Sequence, residues 1–165
     1  MKVESTDYGR LIGALSKGRV DFIIIGGVAA TAHGSPRFTL DVDVSYSRTA
    51  ENLERIVRAL KPLDPYLRGA PPGLPFDWSA QTLQRGLNFT LITSAGSIDL
   101  LGEIVGGGTY DDLVPHSAPM RVFGRDVRVL DLDALIRAKR AAGRPKDFEA
   151  VAELEALREE QERAT

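Results

Sequence analysis

Between residues 21 and 46 the hydrophobic pattern changes kind three times. Phe22-Ile23-Ile24-Ile25 is a continuous apolar run, too short for a buried helix and stopped by Gly26-Gly27, which predicts a buried strand. Residues 28–33 then read as one or two helical turns of small side chains. In Leu40-Asp41-Val42-Asp43-Val44 apolar and acidic positions alternate; on a strand Leu40, Val42 and Val44 turn toward a core while Asp41 and Asp43 project together from the other face.

The same reading covers the rest of the chain. Leu11, Ile12 and Leu15 share a face of a short helix that Thr6 can cap and Gly18 can end. Thr49 caps a helix packed through Leu53, Ile56, Val57 and Leu60. Five prolines in residues 61–78 predict an irregular loop. Its aromatics Tyr66, Phe76 and Trp78 serve to anchor it, or with Arg68 to contact a base or an acceptor. Ser79 caps a short helix to Arg85. Leu87, Phe89 and Leu91 alternate with Asn88 and Thr90, and with residues 98–101 they predict a hairpin carrying Asp99 in its second strand. Residues 102–119, with Gly106-Gly107-Gly108, read as a second flexible connection, and residues 121–130 as two short strands. Asp131 caps a helix ending at Gly143, and its stripe of Leu132, Leu135 and Ile136 is continued by Lys139, which must snorkel or meet an anion. Past the basic elbow Gly143-Arg144-Pro145-Lys146, Asp147 caps a last helix packed through Phe148, Val151, Leu154 and Leu157. A charged tail, 158–165, is expected to fray.

Composition narrows the chemistry. With 165 residues, 43% hydrophobic and 27% charged, the chain reads as a single domain, 1–165, with a real core. It has no cysteine, which excludes disulfides, thiolate zinc sites and cysteine nucleophiles, and agrees with a cytoplasmic location. A net charge of -2 provides no global field for a polyanion. No run approaches a membrane span, and MKVESTDYGR lacks the apolar segment of a signal peptide. His33 and His116 fall in no ligand-spaced motif and read as partly buried hydrogen-bonding residues.

The paired carboxylates are the candidate chemistry. Asp41 and Asp43 on one strand face repel each other, and a hard divalent ion relieves that by binding oxygens of both. Asp99 is a candidate third carboxylate. Gly26-Gly27 between a strand and a helix lets backbone amides approach a phosphate, although tight packing uses glycine in the same way. Gly26, Gly27 and Gly34 fit neither a dinucleotide fingerprint nor a P-loop. Asp41-Val42-Asp43-Val44-Ser45 gives D-x-D-x-S, but Arg37, Phe38 and Thr39 stand where an aspartyl phosphatase has a buried apolar strand.

Taken together, Gly26-Gly27, Arg37-x-Thr39-x-Asp41-x-Asp43, Asp99 and DLDALIRAKRAAGRPKDFEAV resemble the minimal nucleotidyltransferases of the DNA polymerase beta superfamily, within it the AbiE-type abortive-infection toxin group. The resemblance implies an α+β domain, a mixed α/β sheet flanked by helices in the polymerase beta-like nucleotidyltransferase fold. A nucleoside triphosphate such as ATP would lie over the Gly26-Gly27 turn. Asp41 and Asp43 would coordinate two magnesium ions, with manganese as a substitute, and Asp99 would bind one of them and help activate the acceptor hydroxyl. Lys139 and Asp147 match the family's helical lysine and the acid after it, while Arg37 and Thr39 would steady the loop or touch phosphate. The implied partners are an RNA acceptor, such as the 3' end of transfer RNA, and a cognate antitoxin, with no membrane. Gly27 departs from members that carry serine there, and no large helical acceptor domain is evident. A small-molecule (antibiotic) nucleotidyltransferase and a catalytically silent nucleotide-binding or partner-binding module are the alternatives.

Overall fold

Ile23 and Ile24 are fully buried, and Phe22 and Ile25 nearly so, which puts β1 (Phe22–Ile25) inside a sheet covered on both faces. The computed structural model describes residues 5–164. Around β1 lie α1 (Tyr8–Lys17), α2 (Gly26–Ala32), β2 (Asp41–Tyr46) and α3 (Ala50–Leu60). Then come β3 (Tyr66–Leu67), α4 (Ala80–Arg85), β4 (Asn88–Thr93), β5 (Gly96–Leu101), β6 (Glu103–Ile104), β7 (Gly108–Thr109) and α5 (Tyr110–Leu113). A hairpin of β8 (Ser117–Val122) and β9 (Arg125–Leu130) leads to α6 (Leu132–Ala142) and α7 (Pro145–Arg163).

Seven strands make one mixed sheet in the order β3-β4-β5-β2-β1-β9-β8. β2 runs parallel to β5 and β1 to β9, and the remaining neighbours are antiparallel. Val42 and Val44 are fully buried on the face of β2 opposite the aspartates, as alternation requires. Leu40 is not part of that row: it precedes the strand and is 59% exposed, so the apolar side of the pattern begins one pair later than the sequence suggests. Among the described residues no helix is long and apolar enough to cross a membrane.

Several local expectations change for identifiable reasons. Asp7, not Thr6, caps α1, accepting from the Arg10 N–H at 3.0 Å. Thr6 instead donates to the Leu40 carbonyl at 2.5 Å and accepts from the Ser97 N–H at 3.2 Å, tying the start of β2 to β5. The proline-rich segment contains a 3-10 turn at Lys61–Leu63 and the strand β3, paired to β4. Residues 102–119 hold the β6–β7 ribbon, α5 and a 3-10 turn, because Thr109 and Asp112 form a capping box. Arg144 is the N-cap residue of α7, with Pro145 in its first turn; Asp147 sits one turn in, so its carboxylate closes the capping box. Phe148 is 57% exposed, and Ala150 joins Val151 and Leu154 in the buried stripe of α7. α7 stays helical to Arg163, well into the charged stretch, while Thr165 lies outside the described residues. His33 places Nε2 2.9 Å from the Leu130 carbonyl, whereas His116 is exposed.

Candidate active site

Strand register decides which acids can meet. In the β2–β5 pair Asp43 stands opposite Asp99 and Asp41 opposite Ser97, so Asp41, Asp43 and Asp99 share one face. A one-residue slip would have sent Asp99 to the other side. The row continues through Thr90, opposite Asp99 on β4, to Arg68, whose N–H donates to the Thr90 carbonyl at 2.9 Å. From there the Arg68 guanidinium reaches back over the sheet. Its Nη2 donates to Asp99 Oδ1 at 2.8 Å, and its Nη1 to Asp41 Oδ1 at 3.4 Å.

Asp43 is left in the harder position. Its Oδ1 is buried with no hydrogen-bond partner. Burial first, then the charge of Asp99, a hydrogen bond shared with Asp99 and the charge of Asp41, push its carboxyl up to about 7, against a smaller opposing pull from Lys139.

The glycine corner has a steric origin. Gly26 adopts φ +64°, and a Cβ there would lie 2.2 Å from Asp43 Oδ2. A Cβ on Gly27 would come within 2.6 Å of Thr39 Cβ. The bare backbone thus lets the α2 corner close against both Asp43 and Thr39. Thr39 donates through Oγ1 to the Asp41 carbonyl at 3.3 Å and receives the Tyr8 hydroxyl on its own carbonyl, which holds the start of β2 in place. Arg37 is turned toward α7, where Glu153 takes its Nε at 2.5 Å and Glu149 lies 3.6 Å away.

Facing the acids is a basic group on α6 and α7. Asp147, 1% exposed, receives Arg144 Nε at 2.7 Å, Arg144 Nη2 at 3.2 Å and the Arg144 N–H at 3.1 Å. Lys139 Nζ lies 3.8 Å from the same carboxylate. The Arg144 guanidinium above all, with Lys139 adding its charge, holds the Asp147 carboxyl below the usual carboxylate range. Lys139 therefore neither snorkels freely nor lacks a partner. Asp147 orients cations, and Arg144, flagged in the sequence only as part of a basic elbow, presents one of them. Asp41, Asp43, Asp99, Lys139, Asp147, Gly27, Arg37 and Thr39 border one cavity of about 530 Å³, together with Arg144 and Lys146. An adjoining cavity of about 290 Å³ shares Asp43, Lys139 and Arg144, has Gly26 in its wall, and is otherwise lined mostly by apolar groups including Leu101, Ile104 and Leu135, with Asn88 and Glu103 among them.

The donor chemistry suits a hard divalent cation, since the buried Asp43 oxygen lacks a partner and two more carboxylates stand on the same face. As the side chains lie, however, no three acidic, histidine or cysteine groups among the described residues are grouped to hold a metal, and Arg68 bridges the oxygens of Asp41 and Asp99. Arg68 is the residue that sequence reasoning placed least well. Its signal was a cation among the aromatics of the proline-rich segment, and only the pairing of β3 with β4 aims it at the acids.

The mixed sheet flanked by helices is that of the nucleotidyltransferase fold, which solved structures of similar architecture share. No family model and no curated protein matches the sequence. Among solved structures, the chain is similar to the lincosamide antibiotic adenylyltransferase LnuA with lincomycin bound, at 11% identity and TM-score 0.59, covering 93% of this chain and 99% of that one. A candidate nucleotidyltransferase from Thermotoga maritima matches at 16% identity and TM-score 0.56, over 87% and 86% of the two chains. The antibiotic-resistance factor ANT(2'')-Ia matches at 15% identity and TM-score 0.51, over 94% and 89%. At these identities the likeness is one of fold.

Proposed function

We propose that this protein is an enzyme that transfers a nucleoside monophosphate from a nucleoside triphosphate to an acceptor hydroxyl, in a divalent-metal-dependent reaction at Asp41, Asp43 and Asp99. The observation that carries this reading is the β2–β5 register, which brings Asp99 beside Asp43 in a cavity walled on its other side by Lys139, Arg144 and Lys146. On this reading residues 1–165 form one nucleotidyltransferase-like domain.

The three carboxylates would hold magnesium, or manganese in its place, and the bound ion would supply Lewis acidity toward phosphate oxygens and the acceptor hydroxyl. Lys139 and Arg144, held in place by Asp147, neutralise the triphosphate. Gly26 and Gly27 keep side chains out of the corner over which the phosphates lie. Arg37 and Thr39 line the cavity, and Thr39 fixes the start of β2. Asp99 accepts the hydrogen bond of the incoming hydroxyl and takes its proton. The acceptor oxygen bonds to the alpha phosphorus as the bond to the bridging oxygen breaks and pyrophosphate leaves.

The acceptor is read as an RNA hydroxyl, such as the 3' end of transfer RNA, in a cytoplasmic toxin-like enzyme with ATP as donor and an antitoxin as partner. This follows the resemblance to AbiE-type proteins. A second reading, a small hydroxyl compound such as an antibiotic, is favoured by the apolar-walled cavity of about 290 Å³ next to Asp43, which is near the size that encloses a small ligand. The test incubates the protein with each alpha-labelled triphosphate, magnesium and either total RNA or a panel of aminoglycosides and lincosamides. Label in RNA supports the first acceptor and label in a drug the second. Nucleotide binding with no transfer to any acceptor would leave only a silent binding module.

A further inference from the structure

The acid cluster already holds a cation that belongs to the chain. Arg68 Nη2 and Nη1 lie 2.8 Å and 3.4 Å from Asp99 Oδ1 and Asp41 Oδ1, and an ion bound between those oxygens, at about 2.0–2.1 Å from each, would crowd the guanidinium that fills the gap. The two cannot share the place. Magnesium gives up water reluctantly and demands near-octahedral geometry, so it competes poorly for oxygens already taken by charge-assisted hydrogen bonds.

Arg68 is also presented firmly. Leu67 pairs with Leu91 in the sheet and the Arg68 N–H joins the same ladder at Thr90. The segment behind it is pinned by the Tyr66 hydroxyl, 2.8 Å from the carbonyls of both Pro71 and Leu74, and by Trp78 Nε1 donating to the Val57 carbonyl at 3.0 Å. Tyr66, Phe76 and Trp78 pack edge to face and tilted against one another. By contrast Asp43 keeps a buried oxygen with no partner.

We infer that Arg68 stands in for one of the two divalent ions, so that the site takes a single ion, at Asp43, with the Asp41–Arg68–Asp99 bridge as its fixed second cation. This rests on the nucleotidyltransferase reading, departs from the two ions that the resemblance implies, and narrows the ion's place within the three carboxylates to Asp43.

The test counts ions directly. Crystals of the full chain and of Arg68→Met are soaked in manganese with a non-hydrolysable alpha,beta-methylene ATP, and anomalous peaks at the carboxylates are counted. One peak in the native protein and two in Arg68→Met is the expected result. Two peaks in the native protein, or one in both, overturns the inference while leaving the metal-dependent reading intact. No peak in either removes both. Should Arg68→Met lose its fold by circular dichroism, Arg68→Gln, which keeps hydrogen-bonding capacity without charge, carries the same count.

Discussion

Two ionic clusters face each other across the cavity, and they are built on opposite principles. On β2 and β5 two of three carboxylates, Asp41 and Asp99, share one cation, Arg68, and Asp43 is left with an unpartnered buried oxygen. On α6 and α7 two cations, Lys139 and Arg144, share one buried carboxylate, and both oxygens of Asp147 are engaged. The first cluster is short of positive charge and the second has it in excess. The difference separates a group that needs a ligand from a group that organises one: unrelieved repulsion marks the cation site, and a satisfied buried acid marks the support beneath a phosphate site.

The largest effects are expected from removing the acids. Asp41→Ala should lower transfer from an alpha-labelled triphosphate by about a thousandfold or more, because the acid cluster loses one of the carboxylates that hold positive charge at the reacting phosphate, and with it several kcal/mol of transition-state stabilisation. The fold should persist by circular dichroism.

Asp147→Ala attacks the opposite cluster and should behave differently. Lys139 and Arg144 lose their shared anchor, the α7 capping box opens, and stability should fall by about 2 kcal/mol on urea denaturation. The apparent KM for the triphosphate should rise more than kcat falls, since the cations remain but are no longer held.

Gly26→Ala tests the corner between the clusters. With φ +64° and a Cβ position 2.2 Å from Asp43 Oδ2, the change should cost about 1–3 kcal/mol and push Asp43 out of line. An alanine that leaves both melting and activity unchanged would show that the corner is not closed against the acid.

The smallest effect concerns pH. The folded protein keeps the Asp43 proton up to about 7, whereas the unfolded chain releases it near 3.8, so the stability of the metal-free protein falls as pH rises between those values. Asp43→Asn should therefore melt a few degrees higher than the native protein at pH 8 and no higher at pH 3, while losing transfer. In the native protein, manganese binding followed by electron paramagnetic resonance should weaken by up to about tenfold per unit of pH below 7, as the ion competes with the proton.

The central strands, the D-x-D face, the glycine corner and the α6 helix with its inward Lys139 were all legible in the sequence, because each rests on local periodicity or on a strong helix or strand terminator. The convergence of Asp99 with Asp41 and Asp43 was visible only as a candidate, since register between strands more than fifty residues apart is a tertiary property. Two things could not be read. Arg68 needed the pairing of a two-residue strand that prolines disguised as loop, and Asp147 looked like a cap because the difference between the N-cap position and three residues into the helix depends on where Arg144 leaves extended backbone. Thr6 misled for a similar reason, being one residue from the true cap and better used between β2 and β5.

The most direct measurement is the transfer assay on Asp99→Asn, the acid farthest in sequence from the other two and joined to them only by strand register. Loss of label transfer by about a thousandfold, with the melting temperature held or raised, is the result that three acids acting as one site require. Transfer undiminished in this variant would contradict it.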